Sequence, residues 1–217
     1  MSNLSSYDVV VFDLDDTLYS EKQYVLSGYK YLSDLIEDLY SKSVYNIFLK
    51  ALKLKEKDVF SYVIKEIDLP LCIKKDLIFA YRYHTPNIQL HEGVLPILKQ
   101  LKKNGIPMYL ITDGRAVTQR LKVEALGIKS FFDYMYISEE VGMPKPSPDS
   151  FKAIQNIHHN KSIVYIADNP NKDFLAPSKL GWDTIGLLHK KSRVHPLLSN
   201  YLKASKKWLN EFKDLSC

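Results

Sequence analysis

Cysteine is almost missing from this chain, with Cys72 and Cys217 the only two among 217 residues. One falls inside a helical pattern and the other is the last residue, so no disulfide framework is implied and a reducing, cytoplasmic setting is expected. No stretch approaches the roughly 20 consecutive apolar residues of a membrane-spanning helix. The opening MSNLSSYDVVVFDLDD has neither a basic start nor an unbroken apolar run, which argues against export and against a membrane partner. Blocks of like charge are also lacking. The formal charge of +5 comes from lysines scattered among nearly as many acids, a pattern that favours solubility over a nucleic-acid partner. Internal repeats and low-complexity tracts do not occur.

What is present is a 46% apolar content, enough to bury one full core and carry a smaller accessory domain. Tyr7 to Phe12 (YDVVVF) is a β-branched run that ends abruptly in acids, the appearance of a strand buried on both faces. Met108 to Ile111, Ile163 to Ala167 and Thr184 to Leu188 resemble it, with a weaker run at Tyr134 to Ile137. Helical patterns lie between them. Gly93 to Lys103 stops at Asn104-Gly105, Ala116 to Leu126 stops at Gly127, and Ser147-Pro148 reads as an N-cap with proline in the first turn of a helix through Phe151, Ile154 and Ile157. Alternating strands and helices of these lengths predict an α/β fold with a doubly wound parallel sheet.

From residue 20 to 86 the rhythm breaks, and only helical periodicity appears, at Tyr31, Leu35, Ile36 and Leu39 and at Val59, Tyr62, Val63 and Ile67. The segment is expected to be an inserted α-helical cap domain (20–86) on a Rossmann-like core (1–19 and 87–217), covering the carboxyl ends of the strands where such sheets bind ligands. Nine of the fifteen tyrosines lie between Tyr19 and Tyr83, and packing of a small helical core explains them better than stacking on a ligand. Leu197 to Phe212 reads as a final amphipathic helix.

The densest chemical signal is FDLDDTLY, where Asp13 and Asp15 sit two residues apart at the end of the first strand. Strand alternation aims both side chains to one side. Two carboxylates so close repel unless a cation joins them, and hard oxygen ligands suit Mg²⁺. Acids can simply terminate a buried strand, but Asp13, Asp15 and Asp16 within four residues exceed that need.

Together with three later motifs, these residues resemble the haloacid dehalogenase (HAD) superfamily. Its DxDxT motif is matched by Asp13, Asp15 and Thr17. Its hydroxyl at the end of the second strand is matched by Thr112 in LITDG, its lysine by Lys145 in GMPKPSPDSF, and its acidic loop by Asp168 and Asp173 in YIADNPNKD. The resemblance spans about residues 7 to 188 and implies a Mg²⁺-dependent phosphatase acting on a small phosphorylated metabolite, a sugar phosphate or a nucleotide. Asp13 would attack phosphorus to form an aspartyl phosphate. Asp15 would protonate the leaving oxygen and then activate water. Thr112 and the backbone N–H groups of Asp113 and Gly114 would bind phosphoryl oxygens, and Lys145, aimed by an extended Pro144-Lys145-Pro146 backbone, would neutralise them. Mg²⁺ would be held by Asp13, Asp168 and the carbonyl of Asp15, with Asp173 a further ligand or a support to the ligands.

Asp113 and Ala167 depart from the family's usual Asn and Gly, and Asp113 adds negative charge beside the phosphate site. Asp15 argues against a true dehalogenase, which needs no acid for an alkoxide. A phosphomutase would share all four motifs. A non-enzymatic phosphoacceptor domain would normally lack both the helical insertion and the acidic fourth motif, and an inactive binding protein would be expected to have lost one of these groups. Monomer and homodimer are equally compatible with the sequence.

Overall fold

The computed structural model of the protein describes residues 2–189 and 201–217. Its strands are β1 (Ser2–Asn3), β2 (Val9–Phe12), β3 (Met108–Thr112), β4 (Tyr134–Ile137), β5 (Ile163–Ala167), β6 (Asp183–Leu187), β7 (Lys207–Leu209) and β8 (Leu215–Ser216). Six form one sheet in the order β4-β3-β2-β5-β6-β7, and β1 pairs separately with β8. Every neighbouring pair in the large sheet is parallel. All residues of β2, β3 and β5 are buried, which is why these strands read as unbroken apolar runs rather than alternating ones.

Helices α1 (Glu21–Tyr40), α2 (Tyr45–Leu54), α3 (Val59–Glu66) and α4 (Lys74–Tyr83) follow β2. The remaining helices are α5 (Val94–Lys103), α6 (Ala116–Ala125), α7 (Ser138–Val141), α8 (Asp149–Ile157) and α9 (Leu175–Lys179). α5 buries Val94, Ile97, Leu98 and Leu101, one stripe at helical spacing. After α6 the chain turns through Gly127 at φ 66°, and Ile128 N–H donates to the Val123 carbonyl at 3.2 Å, a Schellman closure. α8 starts one residue later than expected: Pro148 is its N-cap, and the Ser147 hydroxyl donates to the Asp149 carboxylate.

The chain divides into two compact units, Met1–Lys22 with Gln89–Cys217, and Gln23–Ile88. The second unit is wholly helical and has its own core, including Tyr29, Leu32, Ile36, Val44, Phe48, Val63, Ile64 and Leu77. Tyr29 stacks on Phe48 with ring centroids 4.7 Å apart. Only part of the periodicity read on α1 faces the core: Tyr31 and Leu39 are 44% and 66% exposed, and the buried stripe runs through Tyr24, Gly28, Tyr29, Leu32 and Ile36. Two apolar stripes compete on this helix, and the packing of α2 selects the one bearing Tyr29. No described helix is long and apolar enough to cross a membrane.

The tail also corrects the sequence reading. Part of the expected helix over Leu197 to Phe212 lies outside the described residues. The rest contains β7, which pairs with β6 in the register Gly186 to Trp208, and Phe212, which is fully buried and stacks on Phe12 at 6.2 Å. An unpaired β6 edge offers a row of backbone donors and acceptors. Lys207 to Leu209 takes them up, and the three-residue strand is too short to display an alternation that sequence could reveal.

Candidate active site

Parallel register fixes where the motif residues meet. Phe12 pairs with Leu110 on one side and Ile166 on the other, so the next residue, Asp13, leaves the sheet between Thr112 at the end of β3 and Asp168 just beyond β5. This is the carboxyl edge of the central strand, where neighbouring connections run to opposite sides and a crevice opens.

Asp13, Thr112, Lys145, Asp168 and Asp173 are all buried there. Lys145 Nζ lies 2.7 Å from Asp13 Oδ1 and 2.7 Å from Asp173 Oδ1, and donates to the Tyr165 hydroxyl at 3.1 Å. Burial drives the Asp13 carboxyl up to about 6, with the Lys145 ammonium opposing and the Asp173 charge reinforcing the rise. The Lys145 ammonium is itself raised well above its ordinary value: burial works against its charge, and the flanking Asp13 and Asp173 carboxylates prevail. Asp173 Oδ2 accepts the Asn169 N–H at 3.0 Å, so both of its oxygens already have protein donors. Thr17 donates to Asp13 Oδ2 at 3.4 Å.

Carboxylate oxygens of Asp13, Asp168 and Asp173 lie within 4.8 Å of one another. Three buried carboxylates thus face one buried ammonium, and a divalent cation would bring the local charge to zero. An all-oxygen set of this kind fits a hard metal ion. A small cavity opens onto it, lined by Asp13, Asp15, Asp16, Glu21, Thr112, Asp113, Asp168, Asn169 and Lys172. Glu21 is pushed up to about 7 by burial first and by the Asp15 charge second.

Asp15 is held by a second set of groups. Lys122 Nζ donates to its Oδ1 at 2.7 Å, the Tyr19 hydroxyl donates to the same oxygen, and Gln119 Nε2 donates to Oδ2 at 2.8 Å. Burial opposes ionisation of Asp15, but Lys122 and the other donors outweigh it and leave its carboxyl below the usual range. Asp16, the third acid, turns elsewhere: at φ 52° its Oδ1 accepts the Glu21 N–H at 2.8 Å, where α1 begins.

Three expectations need correction. The Asp113 carboxylate does not stand as uncompensated charge, because it accepts the Lys145 N–H at 3.0 Å and pairs with Lys172 Nζ at 3.1 Å. Lys145 is aimed by that bond and by a turn rather than by extended backbone: Ser147 N–H donates to the Pro144 carbonyl at 3.0 Å around a cis Lys145–Pro146 peptide. The Gly114 N–H, expected to meet phosphate, donates to the Ser138 hydroxyl at 2.9 Å.

Sequence reasoning missed Gln119, Lys122, Tyr19, Tyr165 and Lys172. For the first two a signal existed. Gln119 and Lys122 fall in register with Val123 and Leu126 on the buried face of α6, and polar residues on an apolar stripe need partners.

The sequence profile of haloacid dehalogenase-like hydrolases matches residues 10–187. The chain is 29% identical over 195 residues to the glyceraldehyde 3-phosphate phosphatase of Methanocaldococcus jannaschii, covering 84% of this chain and 85% of that protein. It is 26% identical over 129 residues to the pyrimidine 5'-nucleotidase YjjG of Escherichia coli, covering 58% and 56%. The magnesium-bound HAD-hydrolase YfnB of Bacillus subtilis superposes with a TM-score of 0.69 at 17% identity over 96% of each chain. A 2-haloacid dehalogenase from Pseudomonas syringae does so at 0.61 and 17% over 95% of each, so at this identity structural likeness speaks for the fold and not for the reaction. With four motifs meeting at the carboxyl edge of one parallel sheet and the profile spanning both of its halves, this chain belongs to the haloacid dehalogenase-like hydrolase family.

Proposed function

We propose that this hydrolase is a Mg²⁺-dependent phosphatase that cleaves a small phosphate monoester through a phosphorylated Asp13. The observation that carries the reading is the buried Asp13 carboxylate at the end of the central strand, 2.7 Å from Lys145. An ion pair stabilises Asp13 in the charged form that attacks phosphorus, and the same ammonium offsets charge on the phosphoryl oxygens in the transition state. Thr112 donates its hydroxyl to one of those oxygens. Asp15, two residues on and ionised in the free site, takes up the proton that a monoanionic phosphate ester carries, gives it to the departing alkoxide, and the resulting carboxylate then takes a proton from the water that hydrolyses the intermediate.

Asp13, Asp168 and the carbonyl of Asp15 would hold the metal, whose chemistry is to neutralise phosphate charge and fix its orientation. Asp173, with both oxygens engaged by Lys145 and Asn169, acts as the anchor of the lysine. The helical unit, inserted directly after the first motif, serves as a cap that restricts substrates to small metabolites. A short sugar phosphate is the first candidate, since relatives covering most of the chain are named glyceraldehyde 3-phosphate phosphatases.

The test is phosphate release from a panel of sugar phosphates, nucleotides and small phosphorylated acids, with Mg²⁺ or with chelator, for wild type and Asp13→Asn. Metal-dependent release that the substitution abolishes supports the reading. Full turnover by Asp13→Asn, or release indifferent to chelator, would sink it.

A further inference from the structure

Gln119 and Lys122 have no part in the four motifs, yet both point from one face of α6 into the site. Three residues apart on a helix, they share a side and grip opposite oxygens of one carboxylate, Lys122 on Asp15 Oδ1 at 2.7 Å and Gln119 on Oδ2 at 2.8 Å. The Lys122 side chain is only 5% exposed, an unusual cost for an ammonium unless the position of its charge matters. Gln119 does a second job. Its Nε2 lies 2.5 Å from Thr112 Oγ1 and 3.1 Å from the Asp113 carbonyl, so two amide hydrogens serve three acceptors. With a lone pair of the Thr112 oxygen engaged by Gln119, the hydroxyl hydrogen is left to point elsewhere, toward an acceptor in the cavity.

From this geometry we infer that Gln119 and Lys122 are positioning residues, which clamp the Asp15 carboxylate, and through Gln119 the Thr112 hydroxyl, in the orientation needed to deliver a proton to the leaving oxygen. The inference rests on the proposed phosphatase reaction. Neither residue is among those lining the cavity. Each acts through a group that is, and a carboxylate free to rotate about its side-chain torsions would spend most of its time misaligned with the leaving group.

Proton delivery matters for an alkoxide leaving group and hardly at all for p-nitrophenolate, which departs as a stable anion. The experiment therefore compares kcat/KM for glyceraldehyde 3-phosphate and for p-nitrophenyl phosphate in wild type, Gln119→Leu, Lys122→Met, Lys122→Arg and Asp15→Asn, each checked for its fold by circular dichroism. General acids contribute about 10²–10⁴-fold, so Gln119→Leu and Lys122→Met are expected to lose about 10–100-fold on the alkyl ester and less than about threefold on the aryl ester. The alkyl loss should fall in kcat rather than KM, and Lys122→Arg should recover part of it. Equal losses on both esters, or no loss, in folded Gln119→Leu overturn the positioning role even if Lys122→Met does not fold. Asp15→Asn separates the readings: preferential alkyl loss there alone leaves the phosphatase reading intact and removes only the clamp. Wild-type release from neither ester overturns both.

Discussion

Replacing Lys145 by methionine removes the one buried ammonium among three buried carboxylates while keeping most of the side-chain volume. Its Nζ lies 2.7 Å from both Asp13 and Asp173, whose side chains are 5% and 0% exposed. Breaking one buried ion pair by deleting a partner costs about 3–5 kcal/mol. The two pairs share a cation, so their losses do not add. There is also a relief route, since Asp13 already lies near 6 and taking up a proton at pH 7 costs only about 1.4 kcal/mol per unit of pKa. A net loss of about 3 kcal/mol is expected, which at about 2–4 °C per kcal/mol for a chain of this size lowers Tm by about 6–12 °C. Trp182 and Trp208 both belong to the sheet-containing unit, so fluorescence excited selectively at tryptophan follows its melting without the tyrosine signal of the helical unit. In chelator the deficit should be full, and it should shrink on adding Mg²⁺, which supplies the missing positive charge. It should also narrow as pH falls from 8 to 6, because a carboxyl whose folded pKa is raised destabilises the fold only while it must be ionised. A drop below about 2 °C in chelator, well under the range given by the size scaling, would refute this account of the cluster.

Three further outcomes follow from the same structure. Wild-type protein should be stabilised by Mg²⁺ by about 2.7 kcal/mol at a hundred times its dissociation constant, and Asp168→Asn should abolish that shift in a thermal melt. Gly186→Ala should cost about 1–3 kcal/mol through overpacking, because a methyl group there overlaps the Trp208 ring, and tryptophan fluorescence should redshift as β7 loosens. His91 is half-buried and stacks on His189 at 4.1 Å, and its inaccessible Nε2 has no hydrogen-bond partner among the described residues. Burial lowers its pKa, with Glu211 opposing. The unfolded chain therefore binds the extra proton below pH about 6.5, and wild type should lose stability relative to His91→Phe as pH falls from 7.5 to 5.5. Parallel urea titration curves across that range would contradict it.

Much of the core was legible from sequence because a strand buried on both faces must be apolar throughout. VVVF, MYLI and IVYIA could hardly be anything else, and each ends at the polar residue that leaves the sheet. The acids, hydroxyl and lysine that the structure brings together were legible through their likeness to four family motifs, three of them at strand ends and the lysine just ahead of α8. The helical character of 20–86 was read from its periodicity, and the wholly helical unit runs over Gln23–Ile88, but the side of α1 that is buried was not legible, since two stripes were available.

What sequence alone determined was local: which segments are strands or helices, and which side chains stand at the carboxyl edge. Only the tertiary structure decided what depends on distant partners. The sheet edge turned Lys207–Leu209 into a strand, Lys172 neutralised Asp113 from 59 residues away, and α6 brought Gln119 and Lys122 to Asp15 across 104 and 107 residues. Such contacts leave no periodicity behind, because a hydrogen bond between remote side chains depends on where the backbone carries them and imposes no pattern on the residues between.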